Sequence, residues 1–227
     1  MNMHELLKTK GDFKRVPCLS PNRWFFIFLV VYFGLLCFNA LVKMVPGNNF
    51  LKENLYFGGL LFYPAVLFLV SLVVLKEIGV NFKAALLDWA ANFKTDVMLG
   101  VLYFGIAALL AWAVSAAGLE RFLENSRATE IDTALIGRPF LLYAMMFSVV
   151  VLAPVGEEIF FKRLLYVGLR QEMPVLKAVL LSSFLFVLLH PAAAFLPMII
   201  FVPVTYYIYE KHKRLSINII LHSGVRP

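Results

Sequence analysis

The chain has 227 residues, of which 61% are hydrophobic and only 15% charged, and its mean hydropathy is +0.82. Soluble domains carry about 25% charged residues, so this balance argues against an ordinary soluble enzyme and for lipid as the solvent. The net charge of +7 does not imply nucleic acid as a partner. No basic stretch is interleaved with stacking aromatics, and Lys and Arg gathered in loops on one side of a membrane account for the excess.

In chain order, residues 1–23 read as a basic leader with Lys8, Lys10, Lys14, Arg15 and Arg23. Trp24–Leu41 is the first apolar run. It is longer than a signal-peptide core and no A-x-A-like site follows it, so a retained span is expected. Leu55–Leu75, Val97–Ala117 and Phe140–Val155 follow, each near the roughly 17–25 residues that cross a bilayer as helix. Three shorter or interrupted runs, Leu176–Leu189, Ala192–Tyr209 and Leu215–His222, complete the set. The fold expected is all-α: after the leader, a single domain over residues 24–227, a polytopic transmembrane bundle of about seven helices.

Between the second and third runs, Phe82, Leu86, Trp89 and Phe93 recur at helical spacing, which suggests an amphipathic interfacial helix within residues 76–96. A polar loop with a helical turn is the alternative. Residues 118–138 carry four acids and three arginines and read as a solvated loop. Assigning connections to alternate sides gives 15 basic residues on the leader's side and 6 on the other, which places the N-terminus in the cytoplasm. Cys18 and Cys37 imply neither a disulfide framework nor a zinc knuckle.

Chemistry concentrates in residues 139–190, with His222 on the last run. "VLAPVGEEIFFKRLLY", Val151–Tyr166, holds two adjacent glutamates inside an apolar run, just after Pro154 and Gly156, which can loosen or kink a helix. Pro174 marks a turn. Glu157 lies 14 residues before Gln171, and His190 lies 14 after Leu176. If both arms are helical, each rises roughly 21 Å, and a hairpin would bring Glu157 and His190 to one level. His222, eight residues past Arg214, would sit about 12 Å into the bilayer on the same rise.

Ionisable groups in hydrocarbon are costly and usually face a cavity. Consecutive helical residues point about 100° apart, so Glu157 and Glu158 are expected to divide their labour. Lys162, four residues after Glu158, has the order and spacing of a helical ion pair, which leaves Glu157 as the reactive carboxylate. His190 can share a water with Glu157, and His222 can donate to the oxyanion formed when water attacks a peptide carbonyl. The plainer alternative is that the glutamates end a span at the interface, His190 closes a helix, and His222 lies in a frayed terminus. His4 and His212 read as solvated, and Phe186 as packing around the site.

These residues resemble a known family, the CAAX-protease and bacteriocin-processing (CPBP, or Abi) intramembrane glutamic endopeptidases. The EExxxR motif appears as Glu157-Glu158-Ile159-Phe160-Phe161-Lys162, FxxxH as Phe186–His190, and HxxxN as His222–Arg226. The resemblance covers roughly residues 97–227. It implies that Glu157 and His190 activate water and that His222 stabilises the oxyanion. The motif arginine is Lys162, with Arg163 next to it; lysine neutralises Glu158 but lacks the bidentate fork. The asparagine position is Arg226, and Asn218, one turn before His222, is a second possible donor.

Two histidines and a glutamate can also hold zinc, but no H-E-x-x-H is present, so a metal-free site without cofactor is favoured and zinc is the alternative. Membrane lipid and a membrane-associated protein or peptide substrate are the expected partners; oligomeric state is not legible. A non-catalytic scaffold, immunity or accessory protein on the same fold is the rival reading. A transporter is weaker, because no pair of broken spans recurs in two halves.

Overall fold

The computed structural model describes residues 13, 16–44, 49–82, 89–116, 138–190 and 195–225. Among these the chain is helical throughout, with no strand. We number seven long helical runs: α1 Pro21–Met44, α2 Asn49–Glu77, α3 Trp89–Ala116, α4 Pro139–Glu172, α5 Val175–Leu188, α6 Phe195–His212 and α7 Leu215–Val225.

The helix ends follow local chemistry. Pro139 opens α4 at its first turn, where a missing N–H costs nothing. Gly79, at φ 73°, follows α2 in a Schellman stop: Val80 N–H reaches Leu75 O and Gly79 N–H reaches Lys76 O. Lys213, at φ 55°, makes the corresponding left-handed cap between α6 and α7, with its N–H on Tyr209 O. It is not glycine because its side chain is needed: Nζ lies 2.8 Å from Glu210 Oε1 and 4.2 Å from the centre of the Phe13 ring.

α4 is the central helix. Its residues 158–166 are all buried, as expected of a helix surrounded on every side. α2 packs closely along it at Gly156, where an added Cβ would meet Phe68 N and Cα at 3.1 and 3.2 Å. The main core gathers Trp24, Phe28, Phe160, Phe161, Tyr166, Phe186, Tyr206 and Tyr209 around α4. Outer faces stay apolar: Phe26, Met44, Trp112, Phe140 and Leu109 are all exposed. Such faces suit lipid rather than water. Among the described residues two helices, Pro21–Val42 and Pro139–Glu172, are long and apolar enough to cross a membrane, and Val175–Leu188 and Leu215–Gly224 are shorter apolar helices.

Three expectations change. No separate interfacial helix is described over 76–96. Trp89 to Asp96 are instead the first turns of α3, while 83–88 lie outside the described residues. The helix runs straight through because Asp96, a seemingly surface charge, is buried against Ser216 and Arg214. The described part of the leader is docked, since Phe13 and Leu19 are buried and Gln171 Nε2 donates to Phe13 O and Val16 O, each at 2.9 Å. His212 is half-buried with Nε2 2.9 Å from Tyr103 OH, so it is not simply solvated. The loop expected at 118–138 and His4 lie outside the described residues, except for Arg138.

Candidate active site

α4 does not break at Pro154. Proline removes an N–H from the ladder, and a π segment, Ser148–Leu152, precedes it. The carbonyl four residues before Pro154 is that of Val150, which has lost its usual donor. Ser223 Oγ lies 2.8 Å from Val150 O and also 2.8 Å from Ile219 O, so its hydroxyl proton serves the two carbonyls in turn. This fastens α7 to α4 one residue from His222. A second π segment, Glu158–Tyr166, carries the site itself. There the Trp24 indole N–H donates to Phe160 O at 3.1 Å. Such π turns often occur at functional sites.

Glu157 and Glu158 are both buried, at 2% exposure each. Glu157 Oε2 stands 3.9 Å from His190 Nε2 and 3.6 Å from His222 Nε2. Glu158 Oε1 stands 3.0 Å from His222 Nδ1, and Glu158 Oε2 is paired with Lys162 Nζ. The expected division of labour between the glutamates is therefore modified. Lys162 and His190 do separate them, but His222 bridges both, one ring nitrogen to each. The i→i+5 winding that begins at Glu158 turns the chain less per residue than an α-helix, which keeps two consecutive side chains within reach of one imidazole.

Proton positions follow from the partners. A carbonyl only accepts, so at 3.0 Å from Phe186 O, His190 Nδ1 carries the hydrogen; when the ring is neutral, Nε2 presents its lone pair toward Glu157. A carboxylate also only accepts, so His222 Nδ1–H donates to Glu158, and Nε2 donates as well only when the ring carries both protons. Glu157 and His190 Nε2 are then two acceptors facing one another, an arrangement that takes both hydrogens of one water. Phe186 stacks on His190 at 4.7 Å between ring centres and meets His222 edge-on at 6.1 Å.

Among the other residues singled out, Lys162 pairs with Glu158 and lies 4.9 Å from the Tyr206 ring centre. Arg163 does not replace it, because its Nη1 donates to Pro17 O at 2.9 Å and so holds the docked leader. Asn218 is buried on α7 with no hydrogen-bond partner for either amide atom. Arg226 lies outside the described residues. The sequence suggests an interfacial aromatic belt for Trp24, Tyr206, Tyr207 and Tyr209, but Trp24, Tyr206 and Tyr209 are buried in the core, with Tyr206 beside Lys162, and Ser223 was overlooked. For Ser223 a signal existed: Pro154 leaves a carbonyl at position 150 that needs a donor.

Residues 139–226, from α4 to α7, match a family model described as type II CAAX prenyl endopeptidase Rce1-like. By this match the region is similar to the CAAX-protease (CPBP) family. The Rce1-like family is a membrane-embedded peptidase family, and the match supports a protease at that coarse level. No curated protein and no solved structure matches the chain. The Rce1-like region contains all the motif residues above, while α1, α2 and α3 lie outside it. Among the described residues no cluster of three or more His, Cys, Asp or Glu has an arrangement that could hold a metal ion.

Proposed function

We propose that the protein is an intramembrane endopeptidase that hydrolyses a peptide bond near the cytoplasmic interface, at the terminus of a membrane-associated or lipidated protein or peptide. The observation that carries this reading is the convergence of Glu157, His190 and His222 from α4, α5 and α7 to within 3.9 Å. Water held between Glu157 and His190 Nε2 attacks the carbonyl carbon as Glu157 takes its proton. Doubly protonated His222 donates from Nε2 to the oxyanion. As the intermediate collapses, Glu157 returns the proton to the departing amine nitrogen and the C–N bond breaks; the new carboxyl group gives up its own proton to the amine, and a carboxylate and an ammonium leave. Glu158 and Lys162 hold the His222 ring. Arg226 and Asn218 are the further donors available to the oxyanion.

The protein in lipid nanodiscs is given a quenched fluorescent peptide ending in a farnesylated cysteine followed by three residues, alongside the same peptide without the farnesyl group. Cleavage by the parent and none by Glu157→Ala or His190→Ala, with both variants folded in detergent, is the expected result. Full activity in either variant overturns the assignment. Mass spectrometry of membrane peptides from cells with and without intact Glu157 then identifies the natural substrate.

A second reading is motivated by Lys162 in the motif's arginine position: a non-catalytic membrane scaffold on the same fold. Activity that appears only in the double variant Lys162→Arg, Arg226→Asn would favour it.

A further inference from the structure

His222 is carried by a short helix, α7, of only 11 residues. α7's most extensive partner is α3, which lies outside the Rce1-like region. The two helices meet in one register over three consecutive turns. Asp96, Gly100 and Phe104 of α3 face Ser216, Ile220 and Gly224 of α7. Both series advance by four in the same chain direction, so each turn of one helix lies against a single turn of the other, and the ridges of i, i+4 side chains are matched.

Each contact is specific. Asp96 is fully buried, accepts from Ser216 Oγ and pairs with Arg214, at the start of α7. A carboxylate there is also favoured by the exposed N–H groups of the helix's first turn. At the second turn, a Cβ on Gly100 would stand 2.6 Å from Ile220 Cγ2 and 2.8 Å from Ile220 Cβ. The second distance is to the branch point, so no rotamer change relieves it, and α7 itself would have to move. At the third turn, a Cβ on Gly224 would stand 2.9 Å from Phe104 Cδ2. Here the small residue is on α7 and the large one on α3. A void and a knob thus alternate along the seam, which fixes both slide and rotation. His222 lies between the second and third contacts, with its imidazole turned to Glu157 and Glu158 on α4.

We propose that α3 is the positioning element for His222, and that the 96/216, 100/220, 104/224 register sets the depth and angle at which its imidazole meets the two glutamates. The proposal rests on the catalytic reading above for its effect on rate, but the positioning is measurable without turnover. A displacement of roughly 1 Å at a catalytic group costs about 10²-fold in rate.

The test uses the full chain in nanodiscs, the farnesylated peptide, and the ¹⁵N signals of the His222 ring, assigned by their loss in His222→Gln. Gly100→Ala is expected to lower kcat about 10²-fold with KM within about twofold and helix content unchanged, and to shift the His222 signals. Gly224→Ala is expected to do the same to a smaller extent, and Phe104→Ala alone to lower kcat less than Gly224→Ala does. The deciding result is the pair: in the Phe104→Ala background, Gly224→Ala should restore both the rate and the His222 signals. Unmoved His222 signals in folded Gly100→Ala, or a Gly224→Ala defect that persists without Phe104, overturn the proposal. If Gly100→Ala fails to fold, the Phe104–Gly224 pair still decides. If the parent cleaves no peptide, the catalytic reading fails while the ring signals still judge the register.

Discussion

Glu210 and Glu157 are both carboxylates taken out of solvent, at 5% and 2% exposure, and the protein treats them in opposite ways. Glu210 is saturated. Its Oε2 accepts from Tyr166 OH at 2.7 Å and Arg170 Nε at 3.2 Å, and its Oε1 faces Arg170 Nη2 at 3.1 Å and Lys213 Nζ at 2.8 Å. The arginine approaches as a two-pronged fork. Around Glu157 the imidazoles stand off at 3.6 and 3.9 Å, outside hydrogen-bond range but near enough to share a small molecule. On the proposed mechanism Glu157 is the reactive carboxylate, so burial alone does not mark it. What differs is the spacing of these neighbours: cations and a phenol reach Glu210 at hydrogen-bond distance, while the two imidazoles stand from Glu157 at a distance that the proposed water would span.

The sharpest way to break this comparison is to neutralise each glutamate in turn. Glu157→Gln should lower peptide cleavage by 10²–10⁴-fold, about what a positioned general base contributes, with little change in thermal midpoint. Glu210→Gln should do the reverse. Removing one partner of a buried pair costs about 3–5 kcal/mol, so the thermal midpoint falls steeply while molecules still folded keep most of their turnover. Paired differential scanning fluorimetry and kinetics read both. Equal stability losses for the two variants would mean that Glu157 is also a structural anchor.

The next effect belongs to His222, which touches both glutamates. His222→Gln should reduce kcat by 10²–10³-fold, the loss seen on removing one oxyanion donor, and leave KM nearly unchanged. A loss confined to KM would instead place His222 in substrate binding.

How much of this was written in the sequence depends on the range of the interaction. The all-helical character, the long apolar runs and the turn at Pro174 follow from local composition. The meeting of Glu157 with His190 follows from two arms of equal length, since helical rise converts sequence distance into height. The pairing of Lys162 with Glu158 is likewise an i, i+4 relation. What was hidden is non-local or depends on winding. Nothing around Glu158 announces an i→i+5 segment, so the bridging of both glutamates by His222 was not legible. The burial of Asp96 was not legible because its partners, Arg214 and Ser216, lie about 120 positions away. The docking of Phe13 and Leu19 rests on side chains from α4, α6 and the α6–α7 junction, which no pattern within residues 1–23 encodes.

A smaller effect is expected where the motif departs from its family. Lys162 Nζ has Glu158 Oε2 on one side and the Tyr206 ring on the other, at 3% exposure. Arginine there gains a fork, but the second carboxylate oxygen is already committed to His222. Lys162→Arg must then either crowd Tyr206 or compete with the imidazole. Overpacking of this kind typically costs about 1–3 kcal/mol, so a modest fall in both stability and kcat is expected. A rise in kcat would show that the lysine weakens the site.

The smallest expected effect is that of chelation. Two ligands on one tetrahedral zinc, each roughly 2.0–2.1 Å from the metal, stand about 3.4 Å apart. Two acceptors sharing one water through hydrogen bonds of roughly 2.8 Å stand about 4 Å apart or more. Glu157 lies 3.6 Å from His222 and 3.9 Å from His190, and the wider of these, between the two groups assigned to the water, is the closer to the second value. Prolonged treatment with EDTA or phenanthroline should therefore leave the cleavage rate within about twofold of the untreated protein, far less than the 10²–10⁴-fold expected from losing the base. Loss of activity with chelator and its return with Zn²⁺ would recast Glu157 as a ligand instead of a base. The comparison with Glu210 would then set a carboxylate closed by cations against one awaiting a metal.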